Sequence, residues 1–317
     1  MEFRKLGASE LVMSEIILGS WLTYGGDVDA DRGRACIRRA LELGINTFDT
    51  ANVYGHDGAA ESFLGESLAG IERDSYLLAT KAFFRMSPTD QGLSAAQVTK
   101  QCDGSLRRLR TDYIDLYQCH RYDEDTPLEE TMGALGELVA AGKVRFIGFS
   151  EWTPDQIRDA RSLPDVPRFV SSQPEYSILY RKPEPEVFAV CAEQGIGQIV
   201  WSPLAQGALT GKYRPGTSPP PGSRAASPEA GKMMGRWRDA EVLEAVERLR
   251  PVAEGVGLTM PQLALAWVLR RPELTAAIVG ASRPEQLDDN AAASGVRLDD
   301  QVVAAIDLAV EGVVGWG

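Results

Sequence analysis

The chain has 317 residues, 44% of them hydrophobic, and a formal net charge of −12. That length allows one large domain or two ordinary ones, and the composition supports a large buried core. The acidic balance argues against a non-specific nucleic-acid binder, and no apolar stretch approaches the roughly 20 residues that span a bilayer.

Residues 1–13 resemble a short hairpin around Gly7-Ala8-Ser9, and Met1-Glu2-Phe3-Arg4-Lys5 leads into no long apolar run, which speaks against a signal peptide. The first strand is predicted at 15–19. Asp29 then caps a helix to about Leu43, closed by Gly44, with Ala30, Cys36, Ile37, Ala40 and Leu41 at helical spacing. Strands follow at 46–49 and 76–80. A helix over 94–109 starts at a capping Ser94 and keeps Val98, Cys102, Leu106 and Leu109 on one side. After a strand at 114–118, Pro127 marks a helix start and Gly142 follows its end. Strands at 146–150, 170–173, 198–201 and 277–279 complete a set of eight, with helix openings at Thr153-Pro154 and Thr259-Met260-Pro261 and further helices at 282–293 and 298–310.

Ile199-Val200-Trp201 and Ala277-Ile278-Val279 do not alternate polar with apolar, as expected of strands buried on both faces in a parallel sheet. Eight strands in βα alternation admit a closed (β/α)8 TIM barrel or an open doubly wound sheet. Candidate reactive residues follow many different strands, which matches a barrel rim, whereas an open sheet gathers its site at one switch point. The first strand also lacks a following G-x-G-x-x-G turn, and Gly195-Ile196-Gly197 precedes a strand. The prediction is a single barrel domain over 1–317 with the hairpin covering its bottom. The connection from Gly211 to about Arg236 is rich in Pro and Gly, and reads as a lid or a surface insertion. Lys212, Arg214 and Arg224 favour an anion-binding lid.

Four residues carry the chemistry: Asp49 and Tyr54 after the second strand, Lys81 in the third and His120 after the fourth. A carbonyl that accepts hydride needs a proton on its oxygen. A free phenol has a pKa of about 10 and is a poor acid near neutrality. A neighbouring ammonium, here Lys81, is expected to lower it, with Asp49 holding Lys81 and His120 orienting the oxygen or sharing the proton. The cysteines Cys36, Cys102, Cys119 and Cys191 are scattered, and with only two histidines no metal-ligand cluster is evident. Free thiols fit a reducing cytoplasm.

Phe48-Asp49-Thr50-Ala51 through Tyr54-Gly55, Thr80-Lys81 and His120 resemble the aldo-keto reductase signature set over nearly the whole chain. Leu18-Gly19-Ser20-Trp21-Leu22-Thr23-Tyr24-Gly25-Gly26, Trp201-Ser202-Pro203-Leu204-Ala205, Thr210-Gly211-Lys212-Tyr213 and Gly280-Ala281-Ser282-Arg283-Pro284-Glu285-Gln286-Leu287 are similar to its potassium-channel β-subunit-like branch. The resemblance implies NADPH bound across the C-terminal rim and a tetrad of Asp49, Tyr54, Lys81 and His120, with Tyr54 the general acid. Trp201 would stack on the nicotinamide, with Ser150 and Gln173 on its carboxamide and Gly19, Ser20, Trp21 and Asp49 also against cofactor. Ser202, Pro203, Leu204, Gln206 and Gly207 would follow the pyrophosphate. Lys212, Arg224, Gly280, Ser282, Arg283, Gln286 and Asn290 would surround the adenosine and its 2′-phosphate, with free N–H groups of the helix near Ser282 facing the anion. Two positions depart from the pattern: Glu151 stands where asparagine often contacts the carboxamide, and Asp289 where glutamate often contacts the adenine.

The expected substrate is a small carbonyl compound, an aldehyde or perhaps a ketone or dicarbonyl, reduced to the alcohol. Pocket walls are expected from loops 21–27, 83–93, 120–125 and 176–181, with Trp21, Tyr54, Phe83, His120 and Trp152 touching substrate and Phe84 and Tyr180 nearby. The second reading is a slow-turnover, NADPH-binding, redox-sensing regulatory subunit. His120 argues against it, since the channel subunits usually carry asparagine there. A barrel enzyme of another reaction class stays open on fold alone. The resemblance is compatible with a homo-oligomer.

Overall fold

The computed structural model describes residues 1–26, 28–228 and 230–315. Asp27, at the end of one expected pocket loop, and Glu229, in the long connection, lie outside the described residues.

Strands β1 (Phe3–Lys5) and β2 (Val12–Ser14) pair antiparallel. Then come β3 (Ile16–Gly19), α1 (Ala30–Glu42), β4 (Thr47–Asp49), α2 (Ala59–Ser67), β5 (Leu77–Ala82) and α3 (Ala95–Leu109). They are followed by β6 (Ile114–Cys119), α4 (Leu128–Ala140), β7 (Val144–Phe149), α5 (Pro154–Ser162), β8 (Phe169–Ser172), α6 (Val187–Glu193) and β9 (Gly197–Val200). The chain closes with α7 (Ala240–Gly255), α8 (Met260–Leu269), β10 (Leu274–Val279), α9 (Pro284–Ala291) and α10 (Asp300–Ala309). Strands β3 to β10 are joined in sequence by parallel pairing, and β10 pairs back with β3, so the sheet closes into a (β/α)8 barrel.

Strand period places the site. Successive side chains alternate across a sheet, so residues two apart share a face. Ile17, Ala79, Leu116, Ile199, Ala276 and Ile278 fill the barrel interior together. Two residues further on, the same inward face carries Gly19, Lys81, Gln118, Trp201 and Gly280. The candidate residues therefore rise from the packed interior to its C-terminal mouth. At the other end, Leu6, Leu11 and Met13 of the hairpin plug the interior. Gly7 makes the closing turn at φ +54°, and a Cβ there would lie 2.2 Å from Gly195 O. The expected cover over the bottom is thus in place.

Local chemistry explains most helix starts. Asp29 accepts from Arg32 N, and Thr153 and Thr259 form capping boxes with Gln156 and Gln262. Ser94 differs from expectation: its side chain makes no cap bond, and Glu130 Oε1 takes the N–H of Ala95 at 2.8 Å. Helices α6 and α7 were not anticipated; α6 has only 7 residues and α7 carries Pro251 inside. The long connection holds short helical turns at Arg224–Ala226 and Ala230–Arg238. Its Tyr213, Ala225 and Met234 form a small apolar cluster with Leu243. Among the described residues no single helix is long and apolar enough to cross a membrane, and α7 with α8 passes only as a pair bent by 87°.

Candidate active site

Asp49 ends β4 and Lys81 lies near the end of β5, on neighbouring strands. Lys81 is fully buried; its Nζ is 2.6 Å from Asp49 Oδ1 and donates to Thr50 O at 2.8 Å. The other Asp49 oxygen accepts from Gln173 Nε2 at 3.0 Å. Lys81 Nζ also stands 5.2 Å from the centre of the Tyr54 ring. Tyr54 OH and His120 Nε2 are 3.3 Å apart, and Phe84 sits edge-on to the imidazole with ring centres 4.7 Å apart. The four residues predicted to act together are thus contiguous.

The electrostatics differ from expectation at Tyr54. Its pKa is raised, not lowered: burial is the largest cause, Asp49 adds to it, and the opposing cation is Arg121. Lys81 is itself held below its ordinary pKa by burial, against the pull of Asp49. Burial, Lys81 and Arg121 push His120 well below the ordinary imidazole range, which keeps it neutral. The resting site therefore holds a protonated phenol beside a neutral imidazole.

Around the mouth, Ser150 Oγ donates to Gln173 O at 2.7 Å. Trp201 is half-buried, and its Nε1 donates to Glu151 Oε1 at 2.9 Å. Ser20 Oγ, between Gly19 and Trp21 in the chain, donates to Thr50 Oγ1 at 2.8 Å. After β9 the backbone takes left-handed conformations at Ser202, Ala205, Gln206 and Gly207, with Pro203 and Leu204 between them. Gln206 donates to Ser202 Oγ and accepts from Arg224, whose guanidinium lies over the Trp21 ring at 5.5 Å. Burial lowers the pKa of Arg224, and no carboxylate pairs with it among the described residues. Lys212 approaches the same turn: a Cβ on Gly207 would lie 3.3 Å from Lys212 Nζ. A desolvated guanidinium and a nearby ammonium around one turn are a donor set suited to phosphate oxygens.

A model of the Aldo/keto reductase family matches residues 15–311. The chain belongs to the aldo/keto reductase family. A protein of Oryza sativa subsp. japonica named "Probable voltage-gated potassium channel subunit beta" is 35% identical over 98% of this chain and 97% of its own length. One of Arabidopsis thaliana with the same name is 36% identical over 92% of this chain and 90% of its own. Membership of the aldo/keto reductase family supports an oxidoreductase.

Several expectations need correction within this aldo/keto reductase barrel. Trp152 is 3% exposed and packs among Tyr122, Phe149 and Phe169, so it does not line a substrate pocket. Phe84, 37% exposed, meets His120 alongside Tyr54. Phe83 is half-buried against it. Helix α9 starts at Pro284, and Gln286 Oε1 accepts the N–H groups of both Ser282 and Arg283, so these are not free for an anion. Gly280 and Arg283 are exposed near this turn, and Asn290 is buried. Asp289 accepts from Thr259 Oγ1 and Gln262 Nε2. Glu61 of α2 is buried against Arg108 and Thr80. Sequence reasoning missed Gln118, which accepts weakly from Gln173 and Ser171, although its place two residues before His120 on one strand face signals it. It also missed Arg121, which donates to His120 O and Ser150 Oγ beside the tetrad.

Proposed function

We propose that this chain, as one barrel domain over 1–317, is a cytoplasmic NADPH-dependent reductase of aldehydes, with ketones or dicarbonyls as further candidates. The contact of Tyr54 OH with His120 Nε2 above the buried Lys81–Asp49 pair carries this reading. NADPH, when bound, supplies the hydride. The protein supplies position, acidity and a dry site. Phe84 and Phe83 offer an apolar wall to the substrate, and Trp21 is assigned to it as well. His120, neutral, orients the carbonyl oxygen toward the Tyr54 hydroxyl. Tyr54 gives its proton to that oxygen as negative charge develops there. Arg121 favours the phenolate that remains, while Asp49 holds Lys81 against the Tyr54 ring. Because burial holds the Tyr54 proton tightly, transfer waits for a strongly basic oxygen.

Trp201 is assigned to the nicotinamide face, and Ser150 and Gln173 to the carboxamide, with Gly19, Ser20 and Trp21 beside them. Ser202, Pro203, Leu204, Gln206 and Gly207 are assigned to the pyrophosphate. Lys212, Arg224, Gly280, Ser282, Arg283, Gln286 and Asn290 are assigned to the adenosine end, with Ser282 and Arg283 acting through side chains because Gln286 occupies their N–H groups. The plant relatives are named as potassium channel subunits, which favours a second reading as a regulatory subunit; in that reading the chain binds NADPH, turns over slowly and senses redox state.

One experiment separates the two: NADPH consumption with an activated aromatic aldehyde, for wild type and Tyr54→Phe. Turnover that collapses by at least about 100-fold in the variant, with NADPH affinity kept, supports the reductase. Tight NADPH binding without turnover on a broad carbonyl panel supports the sensor. No NADPH binding sinks both.

A further inference from the structure

Glu151 follows β7 with φ +59°, a left-handed conformation that disfavours any residue with a Cβ. One oxygen of its side chain does two jobs. Glu151 Oε1 accepts from Trp201 Nε1 at 2.9 Å and from the backbone N of Glu175 at 2.6 Å. Glu175 follows β8 and Trp201 follows β9, and these two are already neighbours through a parallel bridge. Tyr176 N donates to Trp201 O, and Trp201 N to Pro174 O. A single carboxylate from the end of β7 thus ties the ends of the next two strands.

The tie is not a by-product of core packing. Glu151 is exposed and Trp201 half-buried, so neither is locked by close neighbours on all sides. An indole has one N–H donor and no acceptor, so holding that N–H fixes the turn of the ring about its side-chain torsions. The family resemblance puts an asparagine here that donates to cofactor. A carboxylate accepts, and it spends its acceptor on the ring.

We propose that Glu151 is a positioning residue for Trp201, holding the indole face on which the nicotinamide stacks. The inference rests on the NADPH reading above. It assigns Glu151 an indirect role and predicts that its effect passes through the Trp201 N–H.

The test is NADPH titration of the full chain, followed by calorimetry, for wild type, Glu151→Ala, Glu151→Gln, Trp201→Phe and the double variant Glu151→Ala/Trp201→Phe. Glu151→Ala is expected to weaken binding about ten-fold, the scale of one hydrogen bond. Glu151→Gln keeps an oxygen that accepts from the indole and is expected to stay within about two-fold of wild type. In the Trp201→Phe background, Glu151→Ala is expected to add less than about two-fold, since the N–H is already gone. Should Glu151→Ala fail to fold, Glu151→Asp withdraws the oxygen by one methylene and carries the same expectation. Wild-type affinity in Glu151→Ala overturns the proposal, as does an equal loss in the Trp201→Phe background. Those results leave the NADPH reading intact. A wild type that does not bind NADPH overturns that reading and this inference together.

Discussion

Lys81 and Asp49 form a buried ion pair at the floor of the site, and removing one partner leaves the other charge uncompensated. Lys81→Met is expected to destabilise the fold by about 3–5 kcal/mol in urea unfolding. Adding Asp49→Asn should recover part of that loss, because the stranded carboxylate is then gone; a purely additive second loss would mean that Asp49 is not what Lys81 compensates. Glu175 gives a pH-dependent counterpart. Burial, and then Glu151 beside it, push its pKa up to about 7 against the opposing pull of Arg236 and Arg121. The folded state then binds a proton that the unfolded chain has released. This group's contribution to stability is greatest below the ordinary glutamate range and is lost as pH rises toward 7. Glu175→Gln should therefore raise the melting temperature by a few degrees at pH 8 and by much less at pH 4.5, and equal shifts at both would refute the titration. At this scale the tetrad was legible from sequence because chain order and strand period put all four residues at one mouth. Trp152 was misread: one residue past the left-handed turn at Glu151, its ring joins Phe149 and Phe169 in the core. The raised pKa of Tyr54 was not legible, since burial outweighs any single neighbouring charge and is a property of the folded site.

Helix starts and strand ends were legible to different degrees. Thr153-Pro154 and Thr259-Met260-Pro261 announced α5 and α8 because a Thr followed three residues on by Gln is a reciprocal cap. The short α6 and the Pro-containing α7 gave no comparable signal. The two capped helices also differ in what the cap holds. Thr153 serves its own helix, whereas Thr259 Oγ1 also donates to Asp289 of α9 at 2.8 Å. Thr153→Ala should cost about 1 kcal/mol. Thr259→Ala should cost about 2 kcal/mol, because it removes a hydrogen bond to a carboxylate of another helix as well as a cap. Thermal unfolding of the two variants side by side decides this, and equal losses would show that the bond to Asp289 contributes nothing.

The barrel as a whole separates stability from chemistry along its axis. The hairpin residues Leu6, Leu11 and Met13 close the N-terminal end, and every candidate site residue stands at or beyond the C-terminal ends of the strands. Closure by eight parallel strands was legible because the reactive residues were spread over many strand ends, which an open sheet does not do. That the hairpin covers the bottom was legible as well; how tightly its turn seats was not, because that depends on the close approach of two backbones. Gly7 sits with φ +54° so near β9 that a Cβ would lie 2.2 Å from Gly195 O and 2.5 Å from Gly197 N. Both atoms are backbone and neither can swing aside, so Gly7→Ala must lift the turn and with it Leu6. That exposes apolar surface of the interior layer around Ile17, Ile199 and Ala276. The expected loss is about 2–4 kcal/mol, from a strained left-handed alanine together with partly unburied side chains. The mouth proposed to take NADPH lies at the opposite end of the strands, so the folded fraction of this variant should bind NADPH within about two-fold of wild type. Measuring unfolding midpoint and NADPH affinity on the same sample tests both halves. A Gly7→Ala protein that is as stable as wild type would show that the turn has room the geometry denies it. One that stays folded but loses NADPH would show that the two ends of the barrel are coupled through its interior.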